Sequence, residues 1–218
     1  MSIKVSFLFD KKNDWIYSFF SSYNFQSKGY DISYLFDADK VNDFDIVFLL
    51  GYTKILPKEF LQRNKLTLVI HESNLPEGKG FAPIQWQILQ GCSEIKISLL
   101  EAAEIVDSGD IFLQSKILFD GTELYEEIRE KQAKATLNII KKFLESYPNI
   151  TSKSQSGTES FYPKRTLADG ELDISKTLED NFNLLRIGNN DEWPSFFYFR
   201  GKKYILKIFN SEIKKDKV

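Results

Sequence analysis

Short apolar runs separated by helix-length amphipathic stretches fill the first two thirds of the chain, and this alternation restricts the fold more than any other feature. Runs over 4–9, 31–36, 45–50, 66–70, 95–99 and 111–118 have strand length, and helix patterns lie at 14–22, 57–61, 83–90 and 121–146. Strands alternating with helices need crossover connections. The pattern therefore predicts an α/β fold with a mostly parallel, Rossmann-like sheet covered by helices on both faces. Asp45-Ile-Val-Phe-Leu-Leu50 is apolar throughout after its aspartate, as a strand buried on both faces would be. Asn13 or Asp14 can cap the first helix, Pro57 suits the start of the second, and Gly91 stops the third.

This α/β domain spans residues 1–150. Residues 151–160 are polar and aperiodic and read as a surface linker. A small segment over 161–218 follows. It carries a helix pattern at 174–186, two apolar runs around Arg200-Gly201-Lys202 that predict a β-hairpin, and a frayed tail at 214–218. The aromatic run Phe196–Phe199 can pack internally or offer an edge to a second subunit in a homodimer.

Composition removes several functions. A net charge of −2 lacks the electrostatic footprint of a dedicated nucleic-acid binder. No apolar run approaches the roughly 18 residues that span a bilayer. Met1-Ser-Ile-Lys leads straight into a strand without an export leader, so a cytoplasmic location is expected. The single Cys92 excludes an internal disulfide and a Cys₄ zinc site, and no metal is expected. Asp10-Lys-Lys-Asn13 has no glycine, which argues against a dinucleotide fingerprint. A P-loop and a Gly-x-Ser-x-Gly elbow are absent, and His71-Glu72 is not followed by a second zinc-binding histidine, because position 75 is leucine. His71 is the only histidine, so any imidazole chemistry must use it.

Open sheets bind ligands beyond the carboxyl ends of their strands, where His71 and the loop after Leu50 fall. His71 opens the run His-Glu-Ser-Asn-Leu-Pro-Glu-Gly-Lys-Gly80, which continues with Ala82-Pro-Ile-Gln-Trp-Gln-Ile-Leu-Gln-Gly91 and, further on, Asp107-Ser-Gly-Asp-Ile111. His71, Ser73, Leu75, Pro76, Gly80, Pro83, Trp86, Ile88 and Gly91, then Asp107, Gly109, Asp110 and Ile111, resemble the pattern of N10-formyltetrahydrofolate-dependent formyltransferases at its spacing. Lys79 stands where that family usually has arginine. The last third, through Tyr162-Pro-Lys-Arg-Thr166, Asn183-Leu-Leu-Arg186 and Trp193-Pro-Ser-Phe196, resembles the segment linking the family's two domains. Among its branches, the chain looks most like the short enzymes that formylate a UDP-linked 4-amino sugar of the pseudaminic-acid type.

The resemblance implies the formyltransferase fold and transfer of a formyl group from N10-formyltetrahydrofolate, the co-substrate, to the primary amine of a nucleotide-linked amino sugar. His71 would take the amine proton, with Asp107 orienting it. The resemblance further implies folate contacts from Gly51, Tyr52, Ile55, Leu56, Phe81, Trp86, Val106 and Gly109. For the acceptor, Ser73, Asn74, Lys79, Lys164, Arg165, Arg186 and Asn190 offer polar groups, and Tyr162 or Trp193 a stacking surface. One position departs from the pattern: the family asparagine two places before the histidine falls at Val69. Ser73, Asn74, Gln85, a backbone N–H over 73–75, charged His71 or water would then supply the oxyanion donor. Other acceptors in the same enzyme class are methionyl-tRNA, glycinamide ribotide or an amino acid; a folate- or nucleotide-binding module without catalysis is the alternative from another class.

Overall fold

The structure is a computed structural model that describes residues 2–10, 14–23 and 29–211. The proposed cap at Asn13 or Asp14 and the tail at 214–218 lie outside the described residues or, for the Asp14 side chain, outside what is described of it. In chain order the elements are β1 (Ile3–Phe9), α1 (Asp14–Tyr23), β2 (Tyr30–Leu35), β3 (Ile46–Leu50), α2 (Lys58–Gln62), β4 (Thr67–His71), β5 (Lys79–Gly80) and α3 (Pro83–Leu89). They continue with β6 (Glu94–Glu101), β7 (Ile111–Leu118), α4 (Tyr125–Ser146), β8 (Phe161–Tyr162), α5 (Leu178–Arg186), β9 (Ser195–Phe199) and β10 (Lys202–Leu206).

Six strands form one sheet in the order β2-β1-β3-β4-β6-β7. The β1–β2, β1–β3 and β3–β4 pairings are parallel, and β6 runs antiparallel to both β4 and β7. Alternation sorts the side chains: Val5, Phe7 and Phe9 of β1 join the core beneath α1 and α4, and Leu8 joins Val47 and Phe60 on the α2 side. A third cluster ties Ile84 and Ile88 of α3 to Ile95, Ile117, Ile128 and Ile187. On β4, Leu68 and Ile70 face the large core, which leaves Thr67, Val69 and His71 on the α2 side.

Some boundaries move for physical reasons. The long helix starts at Tyr125 rather than Gly121, because the Glu123 carboxylate accepts from the amides of Asp120 and Gly121 and holds them in a turn. The helix expected from Ile174 starts at Leu178, after a capping box in which Thr177 and Asp180 bond reciprocally. The hairpin turn is Arg200-Gly201, both at positive φ (49° and 77°), so Lys202 already belongs to β10.

Candidate active site

His71 is the last residue of β4 and is buried at 6% exposure. Its Nε2 lies 2.8 Å from the carbonyl oxygen of Gly78. A carbonyl only accepts, so Nε2 carries a proton. The other nitrogen, Nδ1, faces Asp107 Oδ1 at 3.6 Å, and both side chains are screened from solvent. Asp107 comes from residues 102–110, which leave β6 beside the start of β4, since Glu101 pairs with Leu68 and Ala102 N donates to Thr67 O. The loop must therefore curl back along the α2 side of the sheet to reach His71. Asp107 sits in the left-handed region at φ 56°, uncommon for a residue with a side chain, and its Oδ2 accepts from Gly80 N at 2.9 Å. Gly109 is needed for close approach: a Cβ there would collide with the Glu101 carbonyl oxygen. Gly80, at φ 97°, is also confined: a Cβ there would come within 2.5 Å of Tyr162 O.

Around this pair the chain leaves apolar surface in solvent. Phe81 and Val106, each adjacent in sequence to a partner of the Gly80–Asp107 hydrogen bond, are 52% and 55% exposed. Ile55 is 82% exposed in the loop after β3, and a Lys58–Glu104 ion pair of 2.5 Å ties the start of α2 to the 102–110 loop. Tyr52 and Leu56, from the same 51–57 loop, pack on the α2-side core, and burial next to Asp10, Asp37 and Asp39 pushes the Tyr52 hydroxyl above the usual tyrosine range.

Over residues 5–144 the sequence matches the family model described as "Formyl transferase". The chain belongs to the formyl transferase family. Its catalytic-domain fold is the formyltransferase fold expected from the sequence. A methionyl-tRNA formyltransferase of Desulfotalea psychrophila is 31% identical over 180 residues, covering 79% of this chain and 54% of that protein. The chain thus spans about half the length of the curated relatives it matches. Among solved structures, a methionyl-tRNA formyltransferase from Clostridium thermocellum superposes with a TM-score of 0.76 at 19% identity, covering 94% of this chain and 99% of that one. A sugar N-formyltransferase from Shewanella sp. FDAARGOS_354 gives 0.70 at 15% identity, covering 97% and 99%. Among the described residues of this formyl transferase family member, no helix is long and apolar enough to cross a membrane, and no group of three or more His, Cys, Asp or Glu is placed to hold a metal.

The remaining candidates divide. Ser73 is buried, its carbonyl accepts from Ser98 Oγ at 2.9 Å, and its own hydroxyl has no protein partner. Asn74 turns outward and accepts from Lys96 Nζ at 3.0 Å. Gln85, with its amide oriented to suit its neighbours, donates to Ala82 O and accepts from Arg129, both at 3.2 Å. The Gln85 amide is thus engaged at both ends, whereas for Asn74 it is the oxygen that is engaged. Lys79 is buried and pairs with Glu159 at 2.5 Å. Trp86 donates to Pro163 O at 2.9 Å and stacks on Tyr162 at 6.4 Å, so its contacts dock the C-terminal segment onto α3. Arg165 lies over the same indole, donates to Asp169 O, and is lowered in pKa by burial, an effect opposed by Asp169. Lys164 and Trp193 are exposed.

Two acceptor candidates are corrected. Arg186 points inward, 3% exposed: Nη2 bonds Glu123 Oε2 at 2.6 Å and Nε bonds Glu123 O at 2.9 Å, so its charge serves a buried pair rather than a diphosphate. Asn190 holds both ends of its amide on the Ile208 backbone. Sequence reasoning missed Gln155 and Ser160. Gln155 Nε2 donates to both Asp107 O and Gly109 O at 2.8 Å, and Ser160 Oγ accepts from Gly78 N at 2.8 Å. Both sit in an aperiodic polar stretch that carries no sequence signal for such contacts.

Proposed function

We propose that this chain transfers a formyl group from N10-formyltetrahydrofolate to the primary amine of a nucleotide-linked amino sugar. The observation that carries the reading is the buried His71–Asp107 pair at the end of β4, flanked by exposed apolar side chains. Ile55, Phe81 and Val106 present surface suited to a flat heteroaromatic ring, so the residues fit a reduced folate. When bound, the folate supplies an activated formyl carbon.

The chain's own residues would do the rest. An amine attacks only when neutral, and the nitrogen becomes acidic as it bonds to carbon. With the Nε2 proton committed to Gly78 O, the proton moves at Nδ1: His71 accepts it there, Asp107 steadies the resulting charge, and the same atom returns the proton to the departing nitrogen. Val69 offers no donor to charge developing on the formyl oxygen, which leaves that task to the Ser73 hydroxyl, to the Asn74 amide, to backbone N–H groups near them or to His71 once charged.

A nucleotide sugar is favoured as acceptor by the acidic net charge and by the resemblance of the 71–80 run to short sugar enzymes. Methionyl-tRNA is the second reading, because the curated relatives at 28–31% identity carry that name. The test offers N10-formyltetrahydrofolate with a panel of UDP- and dTDP-amino sugars, and separately with methionyl-tRNA, following release of tetrahydrofolate. Turnover with an amino sugar and its loss in His71→Asn are expected. Turnover with the tRNA alone overturns the acceptor, and unchanged turnover in His71→Asn overturns the mechanism.

A further inference from the structure

We propose that residues 155–160 form a positioning strap for the proton-transfer pair, with Gln155 setting Asp107 and Ser160 setting His71 through Gly78. His71 ends β4 and takes its Nε2 partner from the 72–80 loop, Asp107 stands on the 102–110 loop, and the Gly80 N–Asp107 Oδ2 hydrogen bond joins the two loops beside the pair. The strap reaches both.

On one side, the single amide group of Gln155 gives each of its hydrogens to a different carbonyl, Asp107 O and Gly109 O, both at 2.8 Å. These carbonyls bracket the turn that holds Asp107 at φ 56°, a conformation its own side chain disfavours. A bidentate clamp across 107–109 supplies what that turn lacks. Lys153, two residues earlier, anchors the strap on β7 through paired backbone bonds with Ile111 at 2.8 and 2.9 Å.

On the other side, Ser160 holds the peptide around Gly78. Its Oγ accepts from Gly78 N at 2.8 Å, its carbonyl accepts from Lys79 N at 2.9 Å, and its N–H reaches Pro76 O at 3.4 Å. Gly78 presents its own carbonyl to His71 Nε2 at 2.8 Å. Ser160 thus acts on the imidazole through one intervening residue: it orients the acceptor that decides which ring nitrogen keeps its proton. The Lys79–Glu159 ion pair closes the strap beside it. Gln155 and Ser160 are positioning residues, because neither reaches the imidazole or the apolar mouth itself.

This assignment rests on His71 as the proton carrier, so the experiment reads the ring directly as well as the reaction. Because His71 is the only histidine, protein without a histidine tag and labelled with ¹⁵N-histidine gives one ring-nitrogen pair. The neutral ring of the unaltered protein should show the tautomer protonated at Nε2. Ser160→Ala should give a mixture of tautomers, and Ser160→Thr, which keeps the hydroxyl, should restore the single one. Gln155→Met and Gln155→Glu, which cannot donate to the two carbonyls, should lower kcat by about 10- to 100-fold with KM for both substrates within about twofold. A variant that fails to fold is recognised by its melting curve, and the other member of each pair carries the test. Unaltered ring signals in Ser160→Ala together with unaltered kcat in the Gln155 variants overturn the strap. An altered tautomer in a protein that transfers no formyl group supports the strap and overturns the function proposed above.

Discussion

Val69 occupies the most consequential single position after His71. It lies on β4 between Leu49 and Leu100 and shares its face with Thr67 and His71. In the proposed mechanism an apolar side chain therefore borders the place where charge would develop. Asparagine is close to valine in size and would bring a donor onto that face. Val69→Asn is expected to raise kcat by about tenfold, as one added oxyanion donor would, and to lower stability by about 1–3 kcal/mol through burial of an amide. Steady-state kinetics and a denaturant titration check both parts; an unchanged kcat in the folded variant means that the main chain already supplies the donor. Asp107→Asn isolates charge from shape, because its side-chain oxygen can still accept from Gly80 N. A fall in kcat of about 10²–10⁴ is expected, and a near-normal kcat would reduce Asp107 to a turn former.

At the scale of elements, α5 is fastened to the turn before α4 by a buried ion pair. Glu123 receives Arg186, Lys131 and the amides of Asp120 and Gly121. Burial raises its carboxyl pKa, but the Lys131 and backbone hydrogen bonds outweigh that and hold it below the usual glutamate range. A carboxylate lowered on folding stabilises the protein fully above its unfolded pKa, and that contribution fades as pH falls through the folded value. Stability should therefore drop more steeply between about pH 5 and pH 3 in the native chain than in Glu123→Gln, measured by urea unfolding across that range. Arg186→Met should cost about 3 kcal/mol by leaving a buried carboxylate short of its partner, without changing KM for the acceptor. The element scale also shows what the sequence can reveal. Strands such as Ile46–Leu50 are legible because burial on both faces leaves a continuous apolar run. The start of α5 is equally legible in the Thr177–Asp180 capping box, yet the apolar Ile174 draws the expected helix upstream. His71 and Asp107 can be found by the spacing of their motif, whereas Arg186 has the same charge in a core pair as on a ligand. Gln155 and Ser160 bond to the main chain of distant loops, which leaves no pattern in the residues they contact.

For the whole molecule, residues 151–206 complete the α/β unit rather than decorate it. Ile187 belongs to the cluster of Ile84, Ile88, Ile95 and Ile117, β8 pairs with β5, and Trp86 Nε1 donates to Pro163 O at 2.9 Å. Among the described residues, the larger core under α1 and α4 draws nothing from beyond Ile150. Cutting the chain after Ile150 should therefore separate two kinds of order. Strand and helix content should largely persist in far-ultraviolet circular dichroism, because the large core keeps its partners. The α3 face should lose its cover, since removing Ile187 and Arg186 exposes apolar surface and leaves Glu123 without its arginine. The truncated chain is expected to melt at least about 5 °C lower, the equivalent of 1–2 kcal/mol in a domain of this size, to bind a hydrophobic dye, and to transfer no formyl group. A melting temperature equal to that of the full chain, with no dye bound, would show that the α/β unit is complete by residue 150 and that the later segment only rests on it.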